Sequence, residues 1–197
     1  MRTKRVESLS SKTLPQGKVL WLTGLSGSGK STIAALIQNH LIELGRCPVM
    51  LDGDQIRAAI ADPHWGYDNE SRLIGSYRYA RLASLFSSQG HIVIVPTISM
   101  FHEVQQWNRA HTPGYFEVYL RTMEQTRRSR DPKVLYRQQK QGQQQEMAGM
   151  DLHIEEPLTP DLLIDNDGDQ TQIAIVANLI IDAFLNTPCT GQSGGQI

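Results

Sequence analysis

The run Gly24-Leu25-Ser26-Gly27-Ser28-Gly29-Lys30-Ser31-Thr32 constrains this chain more than any other segment. Its first eight residues fill the pattern G-x-x-x-x-G-K-[ST] at every fixed position. The context agrees with the pattern. Lys18 to Thr23 before it reads as a buried strand, and Thr32 to Ile37 after it opens a helix. Glycines let the backbone turn its N–H groups inward on a polyphosphate, and the helix N-terminus adds partial positive charge. In that geometry Lys30 reaches the β- and γ-phosphates and the Ser31 hydroxyl binds Mg²⁺. A plain Gly/Ser-rich turn has no need of Lys-Ser after its last glycine.

Alternation of strands and helices carries the same message along the chain. Short apolar runs predict strands at 18–23, 48–52, 91–97, 115–120 and 161–164, as in a sheet covered on both faces. Helices are predicted near 30–44, 55–61, 70–89, 101–110, 122–129 and 170–186. Gly45 ends the first helix as a C-terminal cap, and Ile173, Val176, Ala177, Ile180, Ile181 and Phe184 give the last one a buried face. The expected fold is α/β, a P-loop three-layer sandwich. It has a mostly parallel five-stranded sheet, helices on both faces and a lid. Ligands then belong at the carboxyl ends of the strands. The chain of 197 residues suits one such domain at 17–186, after a flexible arm at 1–16 and before a disordered tail at 187–197.

Composition excludes other classes. A net charge of −1 gives no global basic field for nucleic acid or membrane. No apolar stretch approaches the ~20 residues of a membrane span. The two cysteines, Cys47 and Cys189, lie far apart without metal spacing, which fits a reducing cytoplasm. The six histidines form no metal pair. No N-K-x-D segment is present to read guanine, which argues against a GTPase-type switch.

A second half-site follows the second strand. Leu51-Asp52-Gly53-Asp54-Gln55-Ile56-Arg57 puts two carboxylates and an arginine beside the phosphate loop. Asp54 is the expected group to orient an incoming hydroxyl, accept its proton or hold water on Mg²⁺. Asp52 is expected closer to structural support, although both aspartates also suit helix capping. Arg57 suits an anionic group on the acceptor. Trp65 and Tyr67, near Arg72 and Arg78, suit either a stacked base or an ordinary core. Residues 121–140 hold seven basic residues, among them Arg130 and Lys133, and read as a lid over polyphosphate, about 130–150, or as a solvated face.

From about residue 17 to 185 the sequence resembles the adenylyl-sulfate kinases. The phosphate loop matches that family without change. Leu51-Asp52-Gly53-Asp54 with Arg57 is similar to its L-D-G-D-N-x-R motif, and Arg130-Asp131-Pro132-Lys133-Val134-Leu135-Tyr136 to its lid motif R-D-P-K-G-L-Y. Gly149 followed by Glu155-Glu156-Pro157 echoes a further family segment. The resemblance implies transfer of the γ-phosphoryl group of ATP, with Mg²⁺, to the ribose 3′-hydroxyl of a small nucleotide. It places Gly24 to Thr32 and Arg130 at ATP. Asp52, Arg57, Tyr67, Arg72, Ser99, Lys133 and Met147 fall at the acceptor, Lys30 and Asp54 at the chemistry, and Ser31 and Asp54 at the metal. A homodimer is compatible with it. Departures gather on the acceptor side. An acceptor-binding Asn of the family is Gly75 here, a stacking Phe is Met147, and a Lys is Gln145. The segment Thr97 to Val104 is also similar to family members found with capsule-sugar genes, one of which is thought to act on cytidine diphosphoramidate.

Overall fold

A computed structural model describes residues 17–130 and 154–188 of the chain. The expected arm, most of the expected lid (with Lys133 and Met147) and the tail beyond residue 188 lie outside the described residues.

Five parallel strands form one sheet in the order β2-β3-β1-β4-β5. They are β1 (Lys18–Thr23), β2 (Val49–Met50), β3 (Ile92–Thr97), β4 (Tyr115–Arg121) and β5 (Leu162–Asp165). The helices are α1 (Lys30–Glu43), α2 (Gly53–Ile60), α3 (Asn69–Ser88), α4 (His102–His111), α5 (Glu124–Ser129) and α6 (Ile173–Asn186). A 3₁₀ turn at Gln170–Gln172 opens the helix expected from residue 170. Strand β1 is central, pairing with β3 on one side and β4 on the other. The chain therefore reverses its direction of winding at β1, and the phosphate loop leaves that strand's carboxyl end.

The pleat sorts β1 between two cores. Leu20 and Leu22 face α1 and α6, where Ile33, Ile37, Leu41, Ile180 and Phe184 complete a cluster with almost no exposure. Val19 and Trp21 face α3 and α4, with Tyr79, Ala80, Ala83 and Val104. Each fully buried Leu or Ile contributes roughly 1.5–3 kcal/mol relative to exposure. Lys18 ties the last helix down, donating from Nζ to the carbonyls of Phe184 (2.9 Å), Leu185 (3.2 Å) and Thr187 (2.6 Å). A cation on otherwise unpaired carbonyls complements the helix end. Thr187, expected in a loose tail, is instead the C-cap of α6, its N–H bonded to Ala183 O.

Two boundaries differ from the sequence expectation for a physical reason. Strand β2 spans only Val49–Met50, not 48–52, although Leu51 N still bonds to Ile94 O at 2.8 Å. Helix α2 begins at Gly53, two residues early, because Asp52 caps it. Its Oδ1 accepts from the N–H groups of Asp54 (3.0 Å) and Gln55 (3.4 Å). A side-chain oxygen satisfying these donors starts a helix and stops a strand.

Candidate active site

The phosphate loop is built as the sequence requires. Gly27 and Gly29 take φ values of 80° and 91°, a region costly for residues with a Cβ. Gly29 is also the N-cap of α1, so its left-handed turn sets the direction in which the helix leaves. At Gly27 a Cβ would lie 2.7 Å from Arg127 O, so α5 closes against the loop and leaves no room for one. From the other side Asn166 donates Nδ2 to Ser28 O at 2.8 Å, within a buried contact. Asn166 follows β5 directly. Its place at a strand's carboxyl end was the only signal that could have singled it out.

Lys30 is buried, and its Nζ donates to Leu25 O (2.8 Å) and Ser28 Oγ (3.4 Å) within its own loop. Ser31 is exposed and donates Oγ to Asp52 Oδ2 at 3.3 Å. The metal was expected on Ser31 and Asp54. The carboxylate hydrogen-bonded to Ser31 is that of Asp52, whose other oxygen caps α2. Asp54 stands exposed in the first turn of α2 on the wall of the same cleft.

That cleft has a volume of about 1470 Å³ and runs from the phosphate loop across the sheet's carboxyl edge. One end holds Gly27, Lys30, Ser31 and Arg130; the other holds Asp54, Arg57, Tyr67, Arg72 and Ser99. All the expected site residues that the structure describes therefore border one cleft or its loop. Gly24, Leu25, Ser28 and Asp52 belong to the same loop and strand end, and Thr32 to the first turn of α1. Arg130 is fixed by donating to the carbonyls of Asn166 (2.8 Å) and Gly168. Ser99 is buried, with no partner for its hydroxyl among the described residues.

Aromatic and basic groups shape the far half. The Arg57 guanidinium lies 4.4 Å from the Tyr67 ring centroid and 4.6 Å from that of Trp65. Tyr67 is 63% exposed, so its ring has a solvent-facing surface, whereas Trp65 is buried. Tyr79 donates its hydroxyl to Gly53 O at 3.2 Å, and burial raises its pKa. The Asp62 carboxyl is held below its ordinary pKa by the His64 N–H and by Arg78. Behind the site, His102 donates its N–H to Glu155 Oε2 at 2.5 Å, and its Nε2 lies 2.9 Å from Glu156 O. The Ser99–His102 segment and the Glu155-Glu156-Pro157 segment thus meet.

The arrangement can bind a polyphosphate at one end and a hydroxyl-bearing anion at the other, with the Asp54 carboxylate on the wall of the same cleft. Fold and cleft together define a P-loop phosphotransferase. A family model described as adenylylsulphate kinase matches residues 16–165. A probable adenylyl-sulfate kinase of Bacillus subtilis is 37% identical over 170 residues, 85% of this chain and 84% of the relative. The cytidine diphosphoramidate kinase of Campylobacter jejuni is 34% identical over 148 residues, 75% of this chain and 85% of the relative. The Mycobacterium tuberculosis APS kinase CysC, solved with AMPPNP and APS, superposes with a TM-score of 0.79 at 34% identity, covering 87% of this chain and 99% of that one. The chain belongs to the adenylylsulphate kinase family and is an ATP-dependent kinase with an alcohol group as acceptor.

Proposed function

We propose that this kinase transfers the γ-phosphoryl group of ATP to the ribose 3′-hydroxyl of a small nucleotide, with adenylyl sulfate as the acceptor. The observation that carries the reading is one cleft holding the phosphate loop, Asp54 and the basic–aromatic group of Arg57, Tyr67 and Arg72. Relatives named for adenylyl sulfate support the choice of acceptor.

In the reaction a bond forms between the acceptor's 3′-oxygen and Pγ. The bond from Pγ to the β–γ bridging oxygen breaks. Asp54 aligns the hydroxyl and takes its proton as charge moves onto the phosphoryl oxygens. Lys30 turns from its own loop's carbonyl to the β- and γ-phosphates, exchanging one charge-assisted contact for a stronger one. Loop N–H groups and the N-terminus of α1 stabilise the same charge. Arg57 and Arg72 hold the acceptor's anionic group, Tyr67 offers its exposed ring to the base, and Ser99 supplies an unpaired hydroxyl at the cleft wall. Arg130 borders the ATP end.

Mg²⁺ fits the residues present. A cation of this kind takes one or two protein oxygens and completes its shell with phosphate and water. Ser31 Oγ and Asp52 Oδ2 already stand together, and Asp54 lines the same wall. The metal would neutralise charge developing between the β- and γ-phosphates. No helix among the described residues is long and apolar enough to cross a membrane. The exposed free thiol of Cys47 supports a reducing cytoplasm as the compartment.

A second reading, a cytidine nucleotide as acceptor, is favoured by the relative named cytidine diphosphoramidate kinase and by the sequence departures Gly75 and Met147, at positions where the resemblance implies acceptor contacts. ADP release with Mg-ATP and each acceptor in turn tests both. Release that depends on adenylyl sulfate supports the first reading, release only with a cytidine acceptor the second. Release independent of any acceptor contradicts both.

A further inference from the structure

Trp65 is a large side chain beside the acceptor half that phosphate binding does not use. Its buried ring packs on Tyr79 with centroids 5.7 Å apart. Two guanidiniums lie against it, Arg57 at 4.6 Å and Arg78 at 4.5 Å from the ring centroid. Arg78 is fixed in turn by Asp62 Oδ2 at 3.0 Å. Arg57 is held twice more by the same loop. Its Nη1 donates to Trp65 O (2.5 Å) and to Gly66 O (3.0 Å).

Gly75 is what admits this ring. A Cβ at position 75 would lie 2.6 Å from Trp65 Cζ2, 2.7 Å from Nε1 and 2.9 Å from Cε2. These are distances at which the ring must move. Gly75 sits inside α3, where glycine is less favourable than alanine, and it takes no positive φ. Neither a turn nor a backbone conformation calls for it. The space it leaves does, and Gly75 itself borders the cleft together with Arg57, Tyr67 and Arg72.

We infer that Trp65 and Gly75 form one positioning unit that fixes Arg57 for the anionic group of the acceptor nucleotide. The unit rests on the reading that the acceptor occupies this half of the cleft. The Trp65 and Tyr67 rings lie against the guanidinium and two carbonyls take its Nη1, so the remaining N–H groups of the planar fork are presented to a phosphate or sulfate oxygen in one orientation. Preorganising a flexible arginine removes ordering that acceptor binding would otherwise have to impose. ATP binds at the other end of the cleft and is not served by the unit.

Steady-state kinetics of the full chain test this with Gly75→Ala, Trp65→Leu, the double variant and Trp65→Phe. Gly75→Ala raises the acceptor KM by about tenfold and leaves the ATP KM within about twofold. Trp65→Leu raises the acceptor KM alone, and in its background Gly75→Ala adds less than about twofold. Trp65→Phe, which keeps a ring for Arg57, restores most of the loss. Equal factors for Gly75→Ala in both backgrounds overturn the inference. So does a parallel rise of both KM values with a lowered Tm, the mark of a purely structural role. A wild-type chain that phosphorylates neither adenylyl sulfate nor cytidine diphosphoramidate refutes the proposed function and this inference with it. An active wild type with additive variants refutes the inference alone.

Discussion

Ser31 donates its hydroxyl to Asp52 Oδ2 across 3.3 Å, while Asp52 Oδ1 caps α2 through the N–H groups of Asp54 and Gln55. One carboxylate therefore joins the phosphate loop to the element that carries Asp54. Any displacement of α2 is felt at Ser31, and the two halves of the site are held in register.

Substituting Asp52 separates its two roles. Asp52→Asn keeps a good N-cap and should leave Tm nearly unchanged. It should lower kcat by about 10- to 100-fold and raise the Mg²⁺ concentration needed for half-maximal rate. Asp52→Ala should add a stability loss of about 1 kcal/mol. Urea unfolding and Mg²⁺ titrations measure both, and an unchanged Mg²⁺ requirement in Asp52→Asn would place the metal elsewhere.

Lys30→Ala should lower kcat by two or more orders of magnitude, since charge on the transferring group loses its principal cation (about 3 kcal/mol). The fold should survive, because the hydrogen bonds of Lys30 to Leu25 and Ser28 lie within its own loop and the sheet and both cores are built without it. Far-ultraviolet circular dichroism and turnover rates check the pair of statements together.

Gly27→Ala combines a left-handed φ of 80° with a Cβ placed 2.7 Å from Arg127 O. Strain of about 1–2 kcal/mol is expected from the dihedral alone, and the closure of α5 on the loop is lost. Nucleotide affinity should fall in calorimetric titration more than stability does. The opposite order would mean that the loop is a structural turn first.

Stability should carry a pH signature from Glu117. It is buried between α4 and the sheet, and desolvation raises its pKa although Arg109 lies at 3.0 Å and pulls the other way. The folded chain thus holds this proton to higher pH than the unfolded chain does. The associated stability is complete below the ordinary glutamate range and is lost as pH rises through the folded pKa. Half-buried Asp62 and exposed Asp68 and Asp169, all lowered by hydrogen bonds, act in the opposite sense and lose their contribution as pH falls. Glu117→Gln removes only the first effect. The difference between wild type and variant in urea midpoint should shift in favour of the variant as pH rises above the ordinary glutamate range.

The phosphate loop was legible because its chemistry demands fixed residue types at fixed spacing. The strands of β1, β3 and β4 were legible because burial on both faces leaves continuous apolar runs. The shortness of β2 was not, since it depends on Asp52 choosing a helix cap over continued pairing. Nor was the partner of Ser31. Two aspartates two residues apart look alike in sequence, and only the turn into α2 decides which oxygen faces the loop. Gly75 read as a lost acceptor contact. Its contact with Trp65, ten positions away across a loop, becomes visible only once α3 is packed. Trp65 itself read equally as core or as a stacking ring. It is core, with the guanidiniums of Arg57 and Arg78 against its ring. Asn166 carries no local signal beyond its strand end, yet it holds the phosphate loop from below.

In the proposed reaction Asp54 directs an acceptor hydroxyl at the phosphate bound by Lys30 and its loop. Phosphorus–proton correlation NMR of the nucleotide product tests it most directly. With Mg-ATP and either adenylyl sulfate or cytidine diphosphoramidate, the new phosphorus should couple to the ribose 3′-proton, and Asp54→Asn should abolish that signal while ATP still binds. A phosphate on any other oxygen, or undiminished 3′-product from Asp54→Asn, would contradict the account.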